Sequence, residues 1–312
     1  MAILAALSCC SLIFSASEVA DKNVFSVNSS NTGTELNGQP FLVLGLRMSN
    51  ALISDEMTQE LVDNMDLFAT YGINSFSVFF QGSRFGDIRG YSEDATLDPI
   101  YAARMGKIIQ AADKRGMVIL VGCFYYGNSK GKWDSWGQVE ANKAIANTVR
   151  WLKENNYRNV FVDVNNEHMA KFDDSQLIAA GKAMDDSYVI ATSGRETPEN
   201  ADLSLHHGSP DIPGKYYIES EGTGSNYWGD YSKQEGLYNY INIGVYNDEM
   251  KARMLKYTDK FLKGGQGYMF ASTWLQCPPP SGPNHVPGGM GTADDPGVLW
   301  WLEYVKSLYL RP

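Results

Sequence analysis

The stretch Asn159-Val-Phe-Val-Asp-Val-Asn-Asn-Glu167 is an apolar, β-branched run that stops in a polar Asn-Asn-Glu. Such a composition fits a strand covered on both faces, as in a parallel sheet. Its polar end falls where the strand leaves the core. About fifty residues later the pattern recurs as Lys215-Tyr-Tyr-Ile-Glu-Ser-Glu-Gly222. Working outward from these two runs, eight strands are expected, at residues 41–48, 73–80, 117–124, 160–165, 188–192, 203–207, 216–221 and 267–274.

Helical patterns lie between most of them, with their own punctuation. Ser54 can cap a helix that buries Met57, Leu61, Met65 and Leu67. Asp98-Pro99 supplies an N-cap and a first-turn proline for a second helix, which ends at Gly116. Helices over 139–155 and 175–184 follow the third and fourth strands. Another opens at Asp248 and closes at Gly264-Gly265, and 296–310 forms the last. Alternation of this kind belongs to the α/β class, and eight strands predict a (β/α)8 TIM barrel. Only about ten residues separate the fifth and sixth strands and eight the sixth and seventh, so the helices there should be shortened. Residues 24–27 and 35–41 read as an N-terminal hairpin turning at Asn37-Gly38, which would close the barrel bottom.

The chain has 312 residues, enough for one barrel domain over 18–312. Residues 1–17 form an apolar stretch ending in the small residues Ser15-Ala-Ser17, too short for a membrane span and suited to a signal peptide. Secretion, extracellular or periplasmic, is therefore expected. Lys+Arg 26 against Asp+Glu 36 gives a net charge of −10, which would repel a phosphate backbone and excludes nucleic acid as a natural partner. Of four cysteines, Cys9 and Cys10 would leave with the signal, while Cys123 and Cys277 fall on opposite sides of the barrel, too far apart for a disulfide. No Cys/His spacing suits zinc, and neither a metal nor a cofactor is called for.

A barrel builds its site where the strands end. Glu167 and Glu221 stand at two such ends, and a pair of facing carboxyls is what retaining glycoside hydrolysis requires. Glu167 would be the acid/base, and Asn166 a donor to a sugar 2-hydroxyl. Glu219 and Glu221, two residues apart, should share a face of the strand. Glu219 would then lie one layer deeper, needing a partner such as Arg47 or a part in the site. Tyr125, Tyr126, Trp133, Trp136, Tyr227 and Trp228 are aromatic candidates for a glycan groove, and Gln81, Arg84 and Arg47 are polar ones. Two long segments, 223–247 and 277–295, read as rim loops.

Residues 151–167, ending in Asn166-Glu167, resemble the fourth-strand segment of the clan A retaining glycoside hydrolases, the cellulase-like superfamily. The strand order, the N-terminal hairpin and Trp274 agree with it, so the resemblance covers essentially all of 18–312. It implies an acid/base at Glu167 and a nucleophile at the end of the seventh strand. Aligning Lys215 with the clan's strand-7 lysine puts the nucleophile at Glu221, with Glu219 as the alternative. It also implies a histidine at the sixth strand end, His207 rather than His206, and an aromatic floor at Trp274. The expected activity is hydrolysis of O-glycosidic bonds in a polysaccharide or oligosaccharide, with β-linkage implied by the resemblance. Two other readings are a non-catalytic glycan-binding barrel and another carbohydrate enzyme, a transglycosylase or lyase, on the same fold.

Overall fold

The computed structural model describes residues 22–82, 86–125, 135–194, 196–206, 213–222, 244–276 and 287–309. Strands β1 (Phe25–Val27), β2 (Thr34–Leu36) and β3 (Gln39–Pro40) form a small antiparallel sheet. Asn37 and Gly38 both have positive φ, 54° and 71°, the geometry a tight two-residue hairpin turn needs. This turn joins β2 to β3, whereas β1 pairs with β2 through a longer loop, so the expected single hairpin is a three-stranded sheet. It does plug the barrel. Phe25 stacks on Phe161 with ring centroids 5.0 Å apart, and its amide donates to Arg158 O at 3.0 Å.

The eight expected barrel strands are all present: β4 (Leu44–Arg47), β5 (Ser75–Phe79), β6 (Val118–Phe124), β7 (Val160–Asn166), β8 (Val189–Ser193), β9 (Ser204–His206), β10 (Tyr217–Gly222) and β11 (Gly267–Phe270). They form one parallel sheet in the order β8-β7-β6-β5-β4-β11-β10-β9. Its two edges meet through Asp202, whose amide donates to Ile190 O at 3.0 Å while its carboxylate accepts the Ile190 amide at 2.8 Å. The result is a nearly closed (β/α)8 barrel.

Two apolar layers hold it. Val43, Val118, Leu120, Phe161, Leu205, Ile218 and Met269 fill the interior with Phe25, and a second cluster lies between sheet and helices. The outer layer comprises α1 (Asp55–Ala69), α2 (Pro99–Asp113), α3 (Gln138–Glu154), α4 (Asp174–Lys182), α5 (Asp248–Leu262), a short α6 (Thr273–Gln276) and α7 (Leu299–Tyr309). Ser54 and Asp98 cap α1 and α2 as their sequences predict. Leu67 is exposed and Phe68 takes the buried position instead, because the apolar stripe of α1 runs Leu61, Met65, Phe68 at the four-then-three spacing of one helix face. No helix intervenes between β8 and β9 among the described residues. Strand β11 stops at Phe270, so Trp274 sits in α6 beyond the strand rather than at its end.

Candidate active site

Strand β7 carries its alternation faithfully as far as Asp163. Phe161 points into the barrel against Phe25, while Val162 and Val164 pack outward. Asp163 is fully buried and accepts from the Ser193 amide at 3.0 Å and the Ser193 hydroxyl at 2.6 Å. The pairing with β8 then shifts: Asp163 faces Ala191 and Asn166 faces Ser193, three residues of β7 against two of β8. One extra residue is a β-bulge, a device that re-aims the following side chains. Asn165 turns toward α4 and donates to Asp174 Oδ1 at 2.7 Å, and Asn166 turns to the barrel mouth. Glu167 follows with φ 52° and an exposed side chain, and His168 and Lys171 also have positive φ. Three non-glycine residues in this region within five positions mark strained backbone of the kind concentrated at functional sites.

Strand β10 repeats the device. Ile218 faces the interior, and Tyr217 stacks outward on Phe261 with centroids 5.5 Å apart. Glu219 faces Tyr268 and Gly222 faces Phe270, again three residues against two. The two glutamates consequently part company. The fully buried Glu219 carboxylate lies on the α5 side, accepting from Tyr257 Oη at 2.9 Å and Tyr217 Oη at 3.0 Å. Glu221 lies on the mouth side, its Oε2 3.1 Å from Arg47 Nη2. The shared face expected from the spacing of two does not survive the bulge. Nor does the expected Arg47–Glu219 pair: the arginine goes to Glu221. Gly222 is required next, because a Cβ there would lie 2.1 Å from the Tyr268 ring.

Arg47, from the end of β4, is completely buried and joins the two bulged strands. Its Nη1 donates to Ser220 O at 3.0 Å, and its Nη2 donates to Asn166 Oδ1 as well as pairing with Glu221. The guanidinium lies over the rings of Phe79 and Tyr125, 4.9 and 5.0 Å from their centroids. Burial works against its charge, but Glu221 and then Tyr125 outweigh that and raise its pKa above the ordinary arginine value. Because a guanidinium only donates, Asn166 must present its amide oxygen to it. The Asn166 Nδ2 is left with no acceptor among the described residues. Tyr125 reports on both sides of the mouth: burial raises its hydroxyl well above the ordinary range, Arg47 opposes this, and the carboxylates of Glu221 and Glu167 add to it.

Glu167 also lines a cleft of about 620 Å³ with His168, Lys171, Asp174, Glu196 and Pro198. Trp274 is 3% exposed, and the backbone of Gly244 and Gly288 closes on its ring, since a Cβ at either would lie 2.3 or 2.7 Å from it. Trp136 packs edge-on to Tyr91 and donates to Glu93 O at 3.0 Å. His206 ends β9 in register with Glu219. Tyr126, His207 and Trp228, with Arg84, Trp133 and Tyr227, lie outside the described residues.

Three residues of the site were not singled out by sequence. Asp163 had a signal, an acid inside an otherwise apolar run. Asp174, which holds Asn165 and accepts from Thr192 Oγ1 at 3.0 Å, looks only like a helix start. Tyr257 sits in the apolar stripe of α5 and reads as plain core.

No family model matches the chain, and no curated protein does. Solved structures do. A glycoside hydrolase superposes with a TM-score of 0.60 at 16% identity, covering 93% of this chain and 75% of the other. A family 5 mannosidase from Rhizomucor miehei, a point mutant in complex with mannosyl-fructose, gives 0.54 at 12%, covering 91% and 96%. A family 113 β-1,4-mannanase gives 0.55 at 11%, covering 87% and 99%. At these identities what is shared is the fold: this chain has the (β/α)8 barrel on which those clan A glycoside hydrolases are built.

Proposed function

We propose that the chain is a retaining glycoside hydrolase in which Glu221 is the nucleophile and Glu167 the acid/base. One observation carries this reading: a single buried guanidinium holds the Glu221 carboxylate and the Asn166 amide oxygen together at the barrel mouth. An adjacent cation keeps a carboxylate ionised, as a nucleophile must be. The same contact leaves the Asn166 amide protons for a sugar 2-hydroxyl, a bond that strengthens in the transition state. Glu221 would attack the anomeric carbon while Glu167 protonates the departing glycosidic oxygen. Glu167, now a carboxylate, would take a proton from water as that water displaces Glu221, regenerating both groups. The exposure of Glu167 suits it to meet both leaving group and water.

The substrate we propose is a β-linked oligosaccharide or polysaccharide. β-Mannosides come first, since two of the structures sharing the fold are named a mannosidase and a β-1,4-mannanase. Secretion, read from residues 1–17, is part of the same proposal.

The test begins with a panel of β-mannosyl, β-glucosyl, β-galactosyl and β-xylosyl oligosaccharides and their 4-nitrophenyl glycosides. NMR of the first product should give retained anomeric configuration. A 2-deoxy-2-fluoroglycosyl fluoride of the preferred sugar should leave a covalent adduct, mapped by peptide mass spectrometry to Glu221. Glu167→Gln should lower kcat by on the order of 10²–10⁴-fold, the usual worth of general acid–base catalysis. An adduct on Glu219, or an inverted product, would sink the assignment. Binding without turnover across the panel would leave a glycan-binding barrel.

A further inference from the structure

We propose that Glu219 is a positioning residue for the nucleophile, acting through the backbone of Glu221 and anchored to α5 by Tyr257. This rests on the reading of Glu221 as the nucleophile. A carboxylate on the helix-facing side of a barrel strand is costly, and an apolar residue would serve packing better there. Glu219 is fully buried in that position, among Tyr217, Tyr257 and the aromatic layer of Phe261 and Tyr268. Its two oxygens have different tasks. Oε2 takes the Tyr257 and Tyr217 hydroxyls, at 2.9 and 3.0 Å, which fixes the carboxylate from the helix side. Oε1 accepts the Glu221 amide at 3.2 Å.

That amide belongs to the residue whose side chain must leave the strand's alternation. The extra residue of β10 lies between Glu219 and Gly222, so the bond to Oε1 spans the irregular segment itself. An N–H displaced from the sheet ladder by a bulge needs another acceptor, and Glu219 supplies it. The chain of contacts runs from α5 through Tyr257 and Glu219 to the Glu221 backbone, and from there to the carboxylate held by Arg47. Glu219 touches no reacting atom in this scheme. It sets where the Glu221 carboxylate stands, and a misplacement of about 1 Å in such a group can cost on the order of 10²-fold in rate.

The experiment compares Glu219→Leu, Glu219→Gln and Tyr257→Phe on the most rapidly cleaved member of the panel above. Glu219→Leu keeps similar volume but has no acceptor, and kcat should fall on the order of 10²-fold with KM within about threefold. The rate of adduct formation on Glu221 should fall in parallel. Glu219→Gln retains an oxygen for the Glu221 amide and an NH2 that can donate to the tyrosine oxygens, and should recover most of kcat. Tyr257→Phe should lower kcat several-fold without changing KM. Wild-type kcat in Glu219→Leu overturns the proposal, as does a Glu219→Gln variant as slow as Glu219→Leu. A fall in kcat with a matching rise in KM, tracking a lower Tm, marks a purely structural role and overturns it too. Should Glu219→Leu fail to fold, wild-type kcat in Tyr257→Phe decides against the proposal. An adduct on Glu219 in the wild type, or no turnover of any panel member, removes the nucleophile reading instead and is recognisable as such.

Discussion

Replacing Arg47 with methionine keeps much of the stem and removes the charge. Three polar contacts go with it: the bonds to Ser220 O and Asn166 Oδ1, and the pair with Glu221 at 3.1 Å. Removing one member of a buried ion pair costs about 3–5 kcal/mol, because the other charge is left behind. The Glu221 side chain is 9% exposed and opens on the mouth, so some water can reach it and the lower end, about 3 kcal/mol, is appropriate. The contacts over Phe79 and Tyr125 add little, since a thioether packs well on aromatic rings. At about 2 °C per kcal/mol for a chain this long, Tm should fall by roughly 6 °C in differential scanning calorimetry. The sign of the pH effect follows from which form of Glu221 reacts. Arg47 favours the ionised carboxylate, and in the proposed mechanism that form is the nucleophile, so without Arg47 a higher pH should be needed to populate it. The acidic limb of the kcat/KM profile should therefore move to higher pH, with the basic limb, assigned to the acid/base in the proposed mechanism, moving less. Arg47→Lys keeps a charge but not the fork that reaches three acceptors. It should leave the acidic limb near wild type while lowering kcat. An unchanged Tm in Arg47→Met together with an acidic limb that stays put or moves down would refute this reasoning.

The packing under Arg47 makes a second prediction. A methyl group on Gly122 would lie 1.9 Å from the Phe79 ring, which supports the guanidinium, so Gly122→Ala should cost about 1–3 kcal/mol and lower kcat, read by calorimetry and steady-state kinetics. Cys123 is free and buried, and burial above all pushes its thiol up to about 12. It should escape labelling by a thiol reagent at pH 8 in the folded protein and react in denaturant, as peptide mapping would record. Asp98 caps α2 by accepting the Ile100 amide at 2.8 Å, so Asp98→Ala should cost about 1 kcal/mol in denaturant unfolding.

Sequence reading reached the barrel because its signals are local and repeated. Buried parallel strands are apolar along their whole length, and the helices between them begin at side chains such as Ser54 and Asp98 whose capping chemistry is specific. It stopped short at Glu219 and Glu221 for an equally physical reason. The period of two that assigns a strand's faces holds only while the ladder is regular. Each of β7 and β10 inserts one residue just before its carboxylate. Neither irregular segment contains a glycine: Val164 and Asn165 lie between the paired positions of β7, and Ser220 and Glu221 between those of β10. Nothing in the local sequence distinguishes Lys-Tyr-Tyr-Ile-Glu-Ser-Glu read straight from the same residues read with a bulge, and the two readings send Glu221 to opposite sides of the sheet. What decides between them is non-local: a hydroxyl from α5 that takes Glu219 outward and a guanidinium from β4 that takes Glu221 inward, contributed by residues 38 positions downstream and 173–174 upstream. The selection of one carboxylate from two is thus a property of the closed barrel. The contacts that part the two carboxylates come from β4 and α5 on opposite sides of β10, and the roles proposed for Glu219 and Glu221 rest on that parting.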